Sequence, residues 1–444
     1  MRRVQLISLG CSKNRVDSEH ILKQISADKF EISPEGEDLT KAGVDTVIIN
    51  TCGFIKDAKE ESIETIFSAV DAKKKGYISK IFVFGCLSQR YRDELVKSIQ
   101  EVDGFYGTLD NGSLLNALGI TFREDLALQR CLTTPDHYAY LKISDGCDRT
   151  CSYCSIPIIR GPHHSVPMED IIQEAENLAA MGVKELIVIA QDTTYYGLDI
   201  YKKRVLGKLL EKLIQIVGIE WIRIHYSYPA GFPDDVLEIM AGSEKICKYI
   251  DIPLQHSSDK VLSLMRRSVD GRETRELVEK FRKMVPGVVL RTTMIVGHPG
   301  EGKKDFKNLL DFVKEYKFER LGAFTYSEEE GTYGALNFKD NISRLVKQER
   351  YDTLMEVQAA ISNAYNNSRI GSVEKVLVDS FSKDISGNSV LVARSQKESP
   401  EVDGEILIGG DSLSGIFVPQ NIIGNFVNVK IIGANEYDLL AELI

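Results

Sequence analysis

The chain has 444 residues, 55 Lys and Arg against 65 Asp and Glu (net charge −10), 43% hydrophobic residues, one Trp and eight Cys. That length predicts two to four domains, and this mix of charge and apolar residues excludes a disordered chain. No apolar run approaches the roughly 18 residues of a membrane span and no signal-peptide core follows Val4 to Leu9, so a cytoplasmic protein is expected, whose cysteines are metal ligands or nucleophiles rather than disulfides.

In chain order, the first apolar runs are Val4 to Leu9, Val44 to Asn50 and Lys80 to Gly85. They are separated by helix-length segments Asp17 to Ile25, Ala58 to Lys75 and Tyr91 to Glu101. Short Val- and Ile-rich runs alternating with helices predict βαβ units and a parallel sheet over residues 1–115. Each of the three runs ends at a cysteine: Cys11, Cys52 and Cys86.

A second series, over residues 133–368, has six strand-like runs: Tyr138 to Ser144, Glu185 to Gln191, Trp221 to Ser227, Tyr249 to Leu254, Val288 to Val296 and Arg320 to Tyr326. Helical segments lie between them, the clearest being Met168 to Met181, Val205 to Val217, Arg272 to Met284 and Lys303 to Tyr316. Six βα repeats predict a partial (βα)6 barrel with its site at the carboxyl ends of the strands. Ile342 to Arg369 reads as a connector helix. Residues 371–444 turn all-β, with short strands at Val373 to Val378, Ser389 to Ala393, Gly404 to Ile408 and Phe426 to Ile432, as in a small OB-like barrel. This tail holds five basic against eleven acidic residues, the wrong sign for a phosphate-binding face.

Cys147-Asp-Arg-Thr-Cys151-Ser-Tyr-Cys154 follows the first strand of the six-repeat unit, at the edge where a pocket opens. Three thiolates in one loop can hold three irons of a four-iron cluster and leave the fourth open. Cys151-x-x-Cys154 is also a common zinc half-site, but structural zinc closes four ligands as two pairs, and Cys131 and Cys247 stand isolated. Cys11, Cys52 and Cys86 are far apart in sequence, yet loops after neighbouring parallel strands converge, so the trio can reach one ion or cluster. The alternative is that each is a small buried hydrophobe. Weaker candidates are Gly297-His-Pro-Gly-Glu301, which is also an ordinary turn, and Gln191-Asp192-Thr193-Thr194, which suits either ligand contacts or a helix cap. His163 and His164, with no carboxylate nearby in sequence, read as surface residues.

The Cys147-x3-Cys151-x2-Cys154 loop, with Tyr153 before its last cysteine, resembles the hallmark of radical S-adenosylmethionine enzymes. Together with the amino-terminal trio and the β-rich tail, it makes the whole chain similar to the methylthiotransferases, which join a three-cysteine domain, a radical barrel and a TRAM barrel. One branch modifies an adenosine of transfer RNA and the other an aspartate in the twelfth protein of the small ribosomal subunit. The chain resembles the ribosomal branch in Ser8-Leu-Gly-Cys-Ser-Lys-Asn14 with Val16-Asp-Ser-Glu19, and in Asn50-Thr-Cys-Gly-Phe-Ile55 with Asp57-Ala-Lys-Glu-Glu-Ser62. Asp251-Ile-Pro-Leu-Gln-His256 and Ser399-Pro-Glu-Val-Asp-Gly404 extend the likeness. The acidic tail agrees, because a ribosomal protein is basic. Ser12, Arg15 and His298 depart from the usual pattern, and Arg15 lies close enough to Cys11 to alter the surroundings of a second cluster.

The resemblance implies two 4Fe-4S clusters and S-adenosylmethionine. Cys147, Cys151 and Cys154 would hold the radical-generating cluster, and Tyr153, Gln191 and Asp192 would lie against the cofactor. Cys11, Cys52 and Cys86 would hold the cluster that presents the sulfur. A deoxyadenosyl radical would take hydrogen from the aspartate β-carbon, chemistry that no protein acid or base performs. Both trios must then face one cavity. A reductant protein and the ribosomal protein are the implied partners, without membrane or nucleic-acid substrate. The alternatives are the transfer RNA enzyme and, more distantly, a non-catalytic metal-binding adaptor on the ribosome.

Overall fold

The computed structural model describes residues 2–28, 30–41, 43–383, 387, 389–409 and 422–444. The chain opens with β1 (Arg2–Ser8), α1 (Ser12–Ser26), β2 (Phe30–Ser33), β3 (Thr46–Thr51), α2 (Lys56–Lys74), β4 (Lys80–Gly85), α3 (Cys86–Ser98), β5 (Gly104–Phe105) and α4 (Asn111–Leu118). The strands form a parallel sheet in the order β2-β1-β3-β4-β5. The central β3 is buried along its whole length because helices cover both faces. Val47 and Ile49 pack with Ile66 and Val70 of α2, while Ile48 packs with Ile21 of α1 and Leu114 of α4.

The second unit begins with β6 (Tyr138–Lys142), then a two-stranded hairpin β7 (Ser144–Asp145) and β8 (His164–Ser165) with α5 (Ile156–Arg160) inside it. It continues through α6 (Met168–Ala180), β9 (Glu185–Ile189), α7 (Leu206–Leu213), β10 (Trp221–Ile224), α8 (Asp234–Gly242), β11 (Ile246–Asp251), α9 (Asp259–Leu264) and α10 (Gly271–Met284). β12 (Val289–Val296), α11 (Lys303–Tyr316), β13 (Arg320–Thr325), α12 (Tyr333–Asn337) and the long α13 (Arg344–Ser368) complete it. Its six strands are parallel, in the order β13-β12-β11-β10-β9-β6, so β6 and β13 are free edges and the barrel is open on one side. Ala139, Leu141, Leu186, Val188, Ile222 and Ile224 point outward into the helical layer. The alternate residues face inward and include polar ones, Glu185 and Arg223 among them, paired at 2.9 Å.

The tail folds as β14 (Val373–Lys383), β15 (Ser389–Arg394), β16 (Ile406–Ile408), β17 (Phe426–Ala434) and β18 (Leu439–Leu443), closed in the order β14-β15-β16-β18-β17. It caps the amino ends of the barrel strands through buried charge. Arg394 binds Glu185 at 2.7 Å and Asp379 at 2.6 Å, and Glu398 accepts from Arg320 at 3.1 Å and from Arg369. The loop Ser399–Gly404 enters the open side of the large barrel. There Ser399 meets His225 at 2.8 Å, Asp403 accepts from the Tyr249 hydroxyl at 2.6 Å, and Glu401 accepts from the hydroxyls of Tyr138 and Tyr140 at 3.1 and 2.9 Å. A cavity of about 660 Å³ remains between this loop, the two free sheet edges and α13. Glu374, Asp379, Glu398 and Asp403 are therefore spent inside the molecule. The tail's acidic excess in sequence overstates the negative charge it shows to a partner.

Among the described residues no helix is long and apolar enough to cross a membrane.

Candidate functional site

Cys11 is the residue before α1, Cys52 follows β3, and Cys86 is the first residue of α3. Two glycines let these strand ends converge. Gly10 has φ +92°, and a Cβ there would lie 2.7 Å from the Cys52 Cβ. Gly85 has φ +101°, and its Cβ would strike the Asn50 side chain and the Thr51 backbone. Asn14, one turn into α1, staples all three loops. Its Nδ2 donates to Leu9 O at 2.9 Å and Thr51 O at 3.1 Å, and its Oδ1 accepts from the Cys86 thiol at 3.5 Å. Burial pushes the Cys52 thiol up and the Cys86 thiol up to about 12, with the neighbouring Cys11 adding to both.

The second trio sits beyond the carboxyl end of β6. Its loop is held by Cys147 N to Gly161 O at 3.1 Å, Ser152 N to Met265 O at 3.0 Å and Gly334 N to Ser152 O at 2.6 Å. His298 supports it from behind, its Nε2 3.2 Å from Ser152 Oγ, so this departure from the usual pattern serves a structural contact. Burial, with the Cys151 charge adding, pushes Cys147 up to about 11 and Cys154 to about 12. Arg267 lies 3.7 Å from Cys151 Sγ and donates to the Tyr153 hydroxyl at 3.4 Å, so Tyr153 is engaged within the protein. Asp192 accepts from Thr194 N at 3.0 Å, which makes it a cap, and also from Arg149 Nε at 2.9 Å. Gln191 donates to Asp145 at 2.9 Å. The buried Gln191 Oε1 and Arg149 Nη2 have no hydrogen-bond partner among the described residues, leaving one acceptor and one donor beside Cys147. That pair suits a ligand carrying both an amine and a carboxylate, as S-adenosylmethionine does.

Arg160, six residues past Cys154, joins the two trios. One end donates to Asp145 Oδ2 at 2.6 Å, the other to Asn14 Oδ1 at 2.6 Å and Asp17 Oδ2 at 3.0 Å. Lys142 binds the same two carboxylates, Asp17 and Asp145. Burial opposes ionisation of Asp145, but Lys142 and Arg160 hold it well below the usual carboxylate range. The asparagine that staples the first trio thus touches the arginine that closes the second loop, and the two sites share one wall. A second clasp forms where Glu329, after β13, binds Lys59 of α2 at 2.8 Å and Arg90 of α3 at 3.1 Å.

The donor sets fit clusters in type: three thiols each, with Cys11 and Cys86 at the starts of α1 and α3 and Gly10 keeping the space beside Cys52 clear. Among the described residues no three Cys, His, Asp or Glu are drawn together around a single ion, a spacing that a four-iron cube does not require. Cys131 lies 3.5 Å from Ser26 Oγ and Cys247 is buried beside Trp221 and Tyr249, away from either loop. Arg15 pairs with Glu401 at 3.2 Å, which directs its charge to the tail rather than to the first trio. The expectation of two surface histidines holds for His164 alone. His163 is buried, 3.0 Å from Ser165 Oγ and 3.8 Å from Asp199, a carboxylate distant in sequence but brought near by the hairpin.

In the cluster-free protein these raised thiols bind their protons more tightly folded than unfolded. Their contribution to stability is complete below the unfolded value near 8.5 and is lost as pH rises toward 12. Thermal unfolding of the cluster-free protein is expected to have a level midpoint from pH 7 to about 8.5 and a falling one above. A midpoint that rises between pH 8.5 and 10 contradicts this.

The chain matches the Radical SAM superfamily over residues 141–313, the uncharacterised family UPF0004 over residues 3–107 and the TRAM domain over residues 370–444. It is 48% identical to the ribosomal protein uS12 methylthiotransferase RimO of Bacteroides fragilis, over 100% of this chain and 99% of that one. It is 49% identical to RimO of Parabacteroides distasonis, with the same coverage. Among solved structures it resembles the radical S-adenosylmethionine methyltransferase TsrM from Kitasatospora setae, with TM-score 0.55, 12% identity, and 75% of this chain and 77% of that one covered. The cobalamin-dependent radical enzyme OxsB gives a TM-score of 0.51 at 12% identity over 81% of this chain and 56% of that one, and both likenesses speak to fold alone. With relatives this similar along its full length, and with all three of the expected parts present, the chain belongs to the RimO family of ribosomal protein uS12 methylthiotransferases, radical S-adenosylmethionine enzymes.

Proposed function

We propose that the protein places a methylthio group on the β-carbon of an aspartate in ribosomal protein uS12, in the cytoplasm, with a reductant protein as electron source. The observation that carries this reading is the shared wall: Asn14, Arg160 and Asp145 tie one cysteine trio to the other. Cys147, Cys151 and Cys154 would hold one 4Fe-4S cluster with S-adenosylmethionine, and Cys11, Cys52 and Cys86 the other. When bound, these groups supply the radical that removes hydrogen and the sulfur that replaces it. The chain's own residues set the geometry. Asn14 fixes the three amino-terminal loops, Arg160 with Lys142 fixes the spacing between the two sites, and Gln191 and Arg149 present an acceptor and a donor to the cofactor. Glu329 with Lys59 and Arg90 ties the first sheet domain to the segment after β13 at a second point.

The test is anaerobic reconstitution with iron and sulfide, then incubation with S-adenosylmethionine, reductant and a peptide carrying the uS12 aspartate loop, read by mass spectrometry. A methylthio mass gain on aspartate is expected. Deoxyadenosine with unmodified peptide, together with methylthiolation of transfer RNA, would overturn the substrate assignment.

A further inference from the structure

Several cations beside the two cysteine loops already have partners. Lys142 and Arg160 bind Asp17 and Asp145, Arg149 binds Asp192, and Arg267 donates to the Pro253 carbonyl at 2.6 Å. Lys13 differs. It lies two residues past Cys11 at the start of α1, is 6% exposed, and has no carboxylate or hydrogen-bond acceptor among the described residues. Among the described residues its close partner is the ring of Tyr226, with Nζ 3.0 Å from the ring centroid.

Tyr226 stands just past the carboxyl end of β10, the edge that also carries the Cys147 loop and Gln191. It holds a left-handed backbone, φ +58°, which a side-chain-bearing residue adopts at a cost. Asp251 Oδ2 accepts from its N–H at 2.9 Å and its carbonyl accepts from Thr193 N at 3.1 Å, so its backbone is held in place. His225 beside it is pushed down to about 3 by burial and adds no second charge. An aromatic face compensates a desolvated ammonium only in part, and a nearly buried cation without an anion is costly unless a ligand brings one.

Resting on the methylthiotransferase reading above, we infer that Lys13 recognises the carboxylate of the substrate aspartate between the two cysteine trios. The chemistry matches the need. The carboxyl carbon is bonded directly to the β-carbon, so gripping the carboxylate places the reacting carbon within one bond of a fixed point. Lys13 also lies in the first turn of α1, two residues from Cys11, so the grip is built into the wall of the sulfur-presenting site. A cation there selects aspartate over asparagine, whose amide it cannot neutralise.

Binding of two labelled uS12 loop peptides, one with aspartate and one with asparagine at the target position, tests this on cluster-loaded enzyme without reductant. Wild type is expected to prefer the aspartate peptide at least tenfold. Lys13→Met, similar in length but uncharged, is expected to lose tenfold or more on the aspartate peptide and nothing on the asparagine peptide, with iron content equal to wild type. Lys13→Arg is expected to restore part of the preference. Equal losses on both peptides, or no loss on either, would overturn the role of Lys13. Wild-type enzyme that binds neither peptide would instead overturn the substrate reading on which it rests.

Discussion

Cys147→Ala is expected to abolish both cleavage of S-adenosylmethionine and methylthiolation, with iron content falling from about eight to about four per chain. The reason is local. Cys147, Cys151 and Cys154 lie within one loop whose backbone is anchored at both ends, through Gly161 and through Ser152 to Met265, and no other cysteine lies in that loop. Cys247 and Cys131 are elsewhere, so no spare thiol can take the vacant place. Cys11→Ala is expected to differ in kind: iron falls by the same amount and methylthiolation is lost, but deoxyadenosine is still released. Iron analysis and chromatography of the deoxyadenosine distinguish the two variants. Loss of deoxyadenosine in Cys11→Ala and its persistence in Cys147→Ala would reverse the assignment of the trios.

The second large effect is expected at Arg160. This guanidinium is 6% exposed and bridges Asp145, Asn14 and Asp17. Arg160→Gln leaves two largely buried carboxylates sharing only Lys142, and removing one partner of a buried charge set costs about 3–5 kcal/mol. Against a total stability of about 5–15 kcal/mol that is a large fraction. Arg160→Lys is not a conservative change here, because a single ammonium cannot reach both ends of the fork that the guanidinium spans. Denaturant titration of the cluster-free protein measures the loss. A change below about 1 kcal/mol would show that the shared wall does not depend on this residue.

The parallel sheet and the six barrel strands are legible because strands buried on both faces stand out as Val- and Ile-rich segments, and four of the five tail strands are legible from their alternation, while β18 (Leu439–Leu443) is not. The starts of α1 and α3 were less visible. α1 begins at Ser12, not near Asp17, because its first turns bury Lys13, Asn14, Asp17 and Ser18, polar residues that a search for apolar period passes over. α3 begins at Cys86 and bends at Tyr91, where φ is −125°, so only its second half has regular helical spacing. β2 and β5 are short edge strands with little pattern to detect.

In the site, the cysteines stood out by type and spacing, while the residues that align them did not. Asn14, Asp145 and Arg160 carry no motif of their own, and Arg160 is 146 positions from Asn14 in sequence. The signal that could have found Asn14 was its place inside Cys11-Ser-Lys-Asn14, one helical turn from a thiol at a strand end. The tail's acidity is legible in sequence as a count but not as a surface, because pairing of Asp379, Glu374 and Glu398 with Arg394, Arg369 and Arg320 is a property of the folded chain alone.

The central claim is that both cysteine trios open on one shared cavity, and electron paramagnetic resonance of the doubly reduced, fully loaded protein tests it most directly. Two paramagnetic clusters on one wall interact, so the spectrum is expected to be broadened and faster-relaxing than the sum of the spectra of the Cys11→Ala and Cys147→Ala proteins. A spectrum equal to that sum would place the clusters apart and contradict the account.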